Sequence, residues 1–209
     1  MKKANLLIAL LICYTASAQF DNSFGIKAGT NYSQFRPDVE YYTGEKVQDF
    51  QGKFGYYIGG FFNITISDKS SIRPELLFAN QGTTSKELYL EFIYGEEGEV
   101  VNKVNDLMIL LPVSYRLALV DFLFLEVGIQ PGYTLKRTVV AKEVSFEPSW
   151  EGERATYSNF DRFDFGLNGG LGFDLTDQLE LNLRYSYGLI ERDNTIKTSV
   201  ISLGLGYNL

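Results

Sequence analysis

The sequence of 209 residues predicts an all-β fold of antiparallel strands, and three observations support this. Apolar and polar residues alternate through most of the chain, which is the period of a β-strand. The chain contains 20 Gly and 15% aromatic residues but only 5 Pro, a composition typical of many strands and not of disorder. After the first eighteen residues, no helical period extends beyond a turn or two. The length suits a single domain.

Charge and composition exclude several classes of function. Lys and Arg number 19, Asp and Glu number 26, and the net charge is −7, which argues against a nucleic-acid partner. The chain has no His, so a Ser-His-Asp triad, a Cys-His dyad and a histidine zinc site are all impossible. We therefore expect no enzyme, with no catalytic, cofactor-binding or metal-binding residues.

Residues 1–18 have the features of a secretory signal peptide. Two lysines precede an apolar run at residues 6–14, and Ala16-Ser17-Ala18 supplies the small residues at a cleavage site before Gln19. The apolar run is too short to cross a membrane as a helix. The prediction is a signal peptide at 1–18 and a β-barrel domain at 19–209. Because Cys13 leaves with the signal, the mature chain has no cysteine.

Eight alternating runs follow, and their connections alternate in length. Tight turns are predicted at 67–69, 119–121 and 175–177, long loops at about 34–52, 83–104 and 137–159, and a shorter loop at 191–197. Short periplasmic turns and longer extracellular loops are typical of an up-and-down outer-membrane barrel, in which an even strand number leaves both termini in the periplasm. In order, the predicted strands are Ser23–Ser33, Lys53–Ser67, Ser70–Gly82, Asn105–Ala118, Phe122–Lys136, Phe160–Asp174, Gln178–Ile190 and Thr198–Leu209.

Volume indicates which face of each strand points outward. In the fifth run Leu125, Val127 and Ile129 share one face, whereas Glu126 and Gly128 share the other. An eight-stranded barrel has an interior just wide enough for side chains, and about forty large apolar groups would overfill it. We therefore expect the apolar face to meet lipid and the small and polar face, with its glycines making room for large neighbours, to fill the lumen. A two-sheet sandwich escapes this argument and stays an alternative.

Aromatic residues form two predicted belts on the lipid face, as is typical of such barrels. The outer belt comprises Tyr32, Phe54, Tyr56, Phe78, Tyr133, Phe163 and Tyr187, and the periplasmic belt comprises Phe24, Phe62, Tyr115, Phe173 and Tyr207. The last strand ends in alternating apolar residues that resemble the signal read by the barrel-assembly machinery, although Leu209 stands where Phe is usual.

Six segments resemble the small outer-membrane β-barrel family of Bacteroidota, often labelled porin-like or PorT-like. These are IRPELLFANQG (72–82), LMILLPVSYR (107–116), FLEVGIQPGY (124–133), RFDFGLNGGLGFDL (162–175), LNLRYSYGL (181–189) and ISLGLGYNL (201–209). The resemblance covers nearly all of the mature chain and implies a fold more than an activity. PorT itself resembles a component of a gliding-associated secretion system, and nothing in this chain indicates that role.

Charged residues on the inward face form a candidate site. Isolated charges are costly in so narrow a space, so we expect them to pair into a polar network that fills the barrel. An ion path through them is an alternative, and no spacing singles out a catalytic carboxylate pair. The predicted network comprises Arg73, Glu75, Arg116, Glu126, Asp164, Glu180 and Arg184.

The long loops are a second candidate site. An acidic tip at 95–99 and the glutamates around Trp150 could bind calcium, which prefers oxygen ligands, or could hold cations that bridge to lipopolysaccharide. The favoured interpretation is that both are solvated surface loops. Tyr41 and Tyr42 could contact a protein or glycan.

These patterns together predict a monomeric outer-membrane barrel of a Gram-negative bacterium, with a polar interior and a structural, adhesive or accessory role. Its expected partners are outer-membrane lipid, lipopolysaccharide and the barrel-assembly machinery. The alternatives are a narrow porin-like channel and a soluble secreted β-protein that binds an apolar ligand.

Overall fold

The computed structural model describes residues 23–40, 46–90, 97–144, 154–157, 159–193 and 196–209. The predicted signal peptide, the tyrosine pair at 41–42 and the loop around Trp150 lie outside them. Within the described residues no helix is long and apolar enough to cross a membrane. The strands are β1 (Ser23–Arg36), β2 (Val39–Glu40), β3 (Lys46–Ser67), β4 (Ser70–Leu90), β5 (Glu97–Leu110), β6 (Val113–Val120), β7 (Leu123–Val144), β8 (Arg154–Tyr157), β9 (Phe163–Asp174), β10 (Leu179–Gly188) and β11 (Lys197–Asn208).

The strands pair antiparallel into a closed ring. From β3 the order runs through β1, β11, β10, β9 and β7, and both β5 and β6 then lie between β7 and β4, which pairs back to β3. Pro112 has no backbone N–H to donate, and it separates β5 from β6. The Glu75 N–H still donates to the Pro112 carbonyl at 2.8 Å, so the ladder continues past the break. The predicted count of eight is reached only if β5 and β6 are counted as one strand and the short strands β2 and β8 are left out.

Strands β3, β4, β5 and β7 extend seven or eight residues beyond their predicted bounds, and β1 extends three residues beyond its own. β4 and β5 pair as far as Leu90 with Glu97, and β5 and β7 pair as far as Val100 with Val144. The loops predicted at about 34–52, 83–104 and 137–159 were therefore wrong over much of their length. The alternation that predicts strands needs one apolar face and one polar face. In TTSKELYL (83–90) and EGEVVNKV (97–104) neither face is consistently apolar, although the backbone pairing persists.

The barrel wall has its apolar side chains outside. On β7, Val127 is 56% exposed whereas its neighbour Glu126 is 1% exposed, and on β11 Leu205 is 50% exposed. Apolar exposure of this extent around the whole wall requires a lipid environment. The predicted lipid-facing orientation is confirmed, and the alternatives of a two-sheet sandwich and of a soluble protein with an apolar interior are wrong.

The predicted aromatic belts lie on this outer surface. All seven residues of the outer belt are exposed, and Tyr32 and Phe54 pack edge to face across β1 and β3 with ring centroids 5.1 Å apart. In the periplasmic belt four residues are exposed, and Phe62 is half-buried. The two belts mark the levels at which the barrel meets the two membrane interfaces.

Glycines on the inner wall leave space for large rings. A Cβ at Gly172 would lie 1.9 Å from the Phe124 ring, and a Cβ at Gly204 would lie 1.9 Å from the Tyr57 hydroxyl. Both rings point into the barrel and are buried. Glycine at these positions therefore allows a narrow barrel to enclose aromatic side chains.

A candidate site in the barrel lumen

Ion-paired side chains fill the lumen in three layers. The periplasmic layer, nearest the short turns, comprises Arg73, Arg116 and Glu180; the middle layer comprises Lys27, Glu75, Glu126 and Arg184; and the outer layer comprises Asp106, Arg137, Asp164, Arg192 and Asp193. The three layers together hold six basic and six acidic groups. All seven residues of the predicted network are among them, with Asp164 apart from the other six in the outer layer.

In the periplasmic layer one carboxylate serves two guanidinium groups. Both terminal nitrogens of Arg73 donate to the Glu180 carboxylate, the second at 2.9 Å, and Arg116 Nη2 donates to it at 3.2 Å. The Arg73 guanidinium lies 3.9 Å above the Phe61 ring, and the Arg116 guanidinium lies 3.4 Å above the Phe124 ring. The rings provide the cations with contacts that supplement a single shared counter-ion.

The middle layer is centred on Arg184. Its Nη1 and Nη2 donate to the two oxygens of Glu75 at 2.9 and 2.6 Å, and its Nε donates to Glu126 Oε1 at 2.7 Å. Lys27 Nζ donates to Glu75 at 3.3 Å, and the Asn182 side-chain amide donates to Glu126 at 2.9 Å. This geometry joins four strands, because the residues come from β1, β4, β7 and β10. Bidentate pairing of this kind is strong and geometrically specific.

The outer layer joins the barrel wall to the last extracellular connection. Arg137 Nε and Nη2 donate to the two oxygens of Asp106 at 2.7 Å each, and Arg192 Nη2 donates to Asp106 at 3.0 Å. Arg137 also donates to Asp193, and Arg192 Nη1 lies 3.8 Å from Asp164 Oδ2. A residue of the connection, Arg192, is thereby buried inside the barrel at 1% exposure.

Asp193 forms a latch between two extracellular segments. Its N–H donates to Asp161 Oδ2 at 2.8 Å, and the Asp161 N–H donates to Asp193 Oδ1 at 3.0 Å. Asp193 has a φ of 48°, a left-handed conformation that aspartate adopts more readily than most residues. Burial alone would raise the pKa of Asp193, but the Asp161 N–H and the Arg137 guanidinium outweigh it and lower that pKa below its ordinary value.

The lumen also contains two apolar clusters, which the predicted polar interior did not include. One lies beside the middle layer and comprises Tyr57, Leu77, Ala79, Met108 and Leu110, and the other lies beside the outer layer and comprises Phe35, Phe50 and Ile196. A cavity of about 10 Å³ lies between Tyr57 and Arg184, and cavities of about 390 and 690 Å³ open at the outer and periplasmic mouths. The central cavity is about the size of one water molecule.

The sequence patterns did not predict five residues of the network, and the reason differs among them. Lys27 and Asp106 share the inward phase of their strands with Gly25 and Met108, so alternation could have revealed them. On β7, a register shift opposite Leu107 and Met108 exchanges the inward and outward positions before Arg137. Alternation counted from the start of β7 therefore predicts an outward direction for Arg137, whereas its side chain points inward. Arg192 and Asp193 lie in a connection, which has no periodicity to indicate a direction.

The part of the chain that the structure describes contains no cluster of metal-binding side chains. No group of three His, Cys, Asp or Glu side chains there could hold a metal ion. The buried carboxylates of the lumen are paired with arginine or lysine instead.

Comparison with known proteins relates this fold to outer-membrane barrels. Residues 17–194 match the family model described as outer membrane protein beta-barrel domain. No curated protein matches the sequence. Among solved structures, Ail, the attachment invasion locus protein of Yersinia pestis in complex with the heparin analogue sucrose octasulfate, has a TM-score of 0.51 at 12% identity, with 90% of this chain and 99% of that chain covered.

Two further solved structures are similar. A second crystal structure of Yersinia pestis Ail has a TM-score of 0.50 at 11% identity, covering 90% of this chain and 99% of that chain. The crystal structure of neisserial surface protein A, NspA, has a TM-score of 0.49 at 11% identity, covering 89% and 97%. At such identities the Ail structures show likeness of fold alone. With the lipid-facing wall and the family match over residues 17–194, the chain belongs to the outer membrane protein beta-barrel domain family and is an integral protein of the Gram-negative outer membrane.

Proposed function

We propose that this protein is a closed outer-membrane barrel with a structural, adhesive or accessory role at the cell surface. The observation that carries the proposal is the stack of three charged layers and two apolar clusters between the two mouths of the lumen. Between Tyr57 and Arg184 the lumen contains a cavity of about 10 Å³. A solute would have to displace several side chains to pass.

The energetics of the ion pairs support a closed state. Arg184, Glu75 and Glu126 are each at most 4% exposed, and their hydrogen bonds are 2.6 to 2.9 Å long. Removing one partner of a buried pair typically costs about 3–5 kcal/mol, so opening a path by separating these groups is unfavourable. The same enclosure and pairing support a structural role for the carboxylates, not an acid–base role in catalysis.

The part of the barrel that projects outward supports a role at the surface. From Phe78 to the end of β4 at Leu90 the strand continues beyond the outer belt, which at about 3.3 Å per residue is roughly 40 Å of strand. β3, β5 and β7 extend with it, whereas β1 ends at Arg36 and β10 at Gly188. One side of the wall is therefore taller than the other and offers sheet surface to a partner.

An adhesive role is proposed because β3, β4, β5 and β7 project beyond the outer belt. Ail is described as an attachment invasion locus protein and was crystallised with a heparin analogue, but its 12% identity supports no transfer of that ligand. Assignment to the Bacteroidota or PorT-like group likewise remains a prediction. We also propose that the chain is monomeric and that β11, which closes the ring against β1, is the segment that the assembly machinery recognises.

Conductance tests the closed barrel. Purified mature protein in planar bilayers should show no stable single-channel steps. A variant with Lys27, Glu75, Glu126 and Arg184 all replaced by alanine removes two charges of each sign from the middle layer but leaves the periplasmic and outer layers in place, so it should also show no steps. Both proteins must first show the heat-dependent gel shift of a folded barrel. Steady single-channel steps from the unaltered protein would overturn the proposal in favour of a narrow channel.

A further inference from the structure

The two rims of the barrel differ in charge. The periplasmic turns carry Asp68, Asp121 and Asp177 beside a single Lys69. The opposite rim, just beyond the outer aromatic belt, carries the four basic residues Arg36, Lys136, Arg162 and Lys197 together with the four acidic residues Asp38, Asp161, Glu191 and Asp193. Basic groups at the level of lipid headgroups attract anionic lipid, whereas acidic groups there repel it.

Two of these basic residues border one groove on the outer surface. Arg36 and Lys197 are partners across β1 and β11, and the groove beside them, of about 950 Å³, has Tyr185 and Tyr187 in its wall. Arg36 lies two outward positions above the belt residue Tyr32. The groove therefore has cations at its outer end and aromatic rings towards the membrane.

The groove holds two basic and two acidic groups, and Lys197 forms an ion pair with Glu191 there. Arg36 Nη2 donates to the Gln34 side chain at 3.1 Å, and within the described residues Arg36 makes no ion pair. Lys197 lies 3.5 Å from Glu191, whose side chain is 60% exposed, and a solvent-exposed pair of this kind is weak. The other acidic group in the groove, Asp38, accepts a hydrogen bond from the Phe50 N–H at 3.0 Å. Arg36 thus keeps donors for an anionic ligand.

Lys136 and Arg162 repeat this arrangement elsewhere on the rim. Arg162 Nη1 donates to the carbonyls of Thr134 and Leu135 at 3.3 and 2.9 Å, which holds its guanidinium against β7. Lys136 is exposed beside it, above the belt residue Tyr133. Basic residues thus occur on both sides of the ring at the same level, although the groove is formed at Arg36.

We propose that the groove bordered by Arg36, Lys197, Tyr185 and Tyr187 binds the phosphate group of an outer-leaflet glycolipid. The two cations contact the phosphate, and the acyl chains lie along the apolar wall below, where Leu183 and Ile201 are exposed. This inference names a lipid partner for the proposed surface role. It depends on the lipid-facing wall but not on the closure of the lumen.

Lipid binding is tested with the full mature barrel in nanodiscs that contain diphosphoryl lipid A or the same lipid after removal of its phosphates. The protein should retain the phosphorylated lipid preferentially, as measured by mass spectrometry of the intact complex. Loss of each cation should weaken retention about fivefold, so the R36Q/K197Q variant should bind roughly 25-fold more weakly. The control is K69Q at the periplasmic rim, which should bind normally.

Several outcomes would overturn the inference. One is equal retention of the phosphorylated and dephosphorylated lipids, and another is a K69Q variant as weak as R36Q/K197Q. A third is soluble sucrose octasulfate binding to the same groove as tightly as lipid A, which would assign the site to a free polyanion. The gel shift of each variant establishes that it is folded, and bilayer conductance tests the closed lumen separately, so the two proposals can fail independently.

Discussion

Some charged residues in the lumen depend on a single counter-ion. Glu180 is fully buried and is the carboxylate partner of both Arg73 and Arg116. Glu180→Gln preserves the shape but leaves two buried cations without a counter-ion. We expect it to lower the free energy of unfolding by about 3–5 kcal/mol, measured by urea titration of the barrel in lipid vesicles.

A neutral variant is the matched control for Glu180. Replacing Arg73, Arg116 and Glu180 together by methionine leaves no unpaired charge, and such replacements are often neutral for stability. This triple variant should be more stable than Glu180→Gln. A triple variant less stable than Glu180→Gln would show that the two unpaired cations are not what destabilises the single variant.

Close approach of two strands at Gly59 gives a second prediction at this scale. A Cβ there would lie 2.0 Å from the Leu76 carbonyl oxygen and 2.8 Å from Leu77 Cα, so only a shift of the β4 backbone could accommodate it. Gly59→Ala should therefore reduce the free energy of unfolding by about 1–3 kcal/mol or more.

Gly169 provides the matched position for this test. A Cβ there would lie 3.8 Å from its nearest neighbour, the Glu126 carbonyl oxygen, which is ordinary van der Waals contact. Gly169→Ala should leave the urea midpoint nearly unchanged. Equal effects of the two substitutions would contradict the role assigned to Gly59.

At the scale of elements, the last extracellular connection depends on the Asp193 latch. Because the folded state lowers the pKa of Asp193, the latch contributes stability above the unfolded pKa of about 3.9, and this contribution is lost as the pH falls through the folded value. The N–H groups of Arg192 and Ile196 donate to each other's carbonyls and report on the connection.

Hydrogen exchange of these two amides measures the latch. At pH 7 they should exchange faster in Asp193→Asn than in the unaltered protein, and the difference should shrink below about pH 3 as the carboxyl is protonated. Glu191→Gln, which alters only an exposed neighbour, is the control and should exchange as the unaltered protein does. A difference between Asp193→Asn and the unaltered protein that persists unchanged in acid would show that charge is not what holds the connection.

For the whole molecule, the absence of cysteine from residues 19–209 allows its orientation to be tested. Single substitutions Glu191→Cys, in the last extracellular connection, and Asp68→Cys, in a short turn, place one thiol at each end. On intact cells a membrane-impermeant maleimide should label the first variant and should label the second only after the outer membrane is permeabilised. The reverse pattern would show that the barrel has the opposite orientation in the membrane, which would remove the basis for the lipid site at Arg36.

The alternation of apolar and polar residues, together with the small volume of the lumen, was sufficient to predict which side chains of the barrel wall point outward. Leu183, Ile201 and Leu205 were placed outside and Glu126 and Arg184 inside because a strand exposes its two faces in turn and the lumen is narrow. These are local properties, since each residue's direction depends on its own strand. The same reasoning ended β4 and β7 too early, because the projecting sheet has no apolar face to mark it.

Which charges pair was decided by contacts between residues far apart in the chain. Arg184 reaches Glu75 across 109 positions and Arg73 reaches Glu180 across 107, so strand order and register choose these partners, and local pattern contains neither. The direction of Arg137 depends on a bulge, and that of Arg192 on a connection that folds back into the lumen. Alternation along each strand sets a side chain's face, whereas closure of the ring sets its neighbours, because only closure brings distant strands to a common lumen.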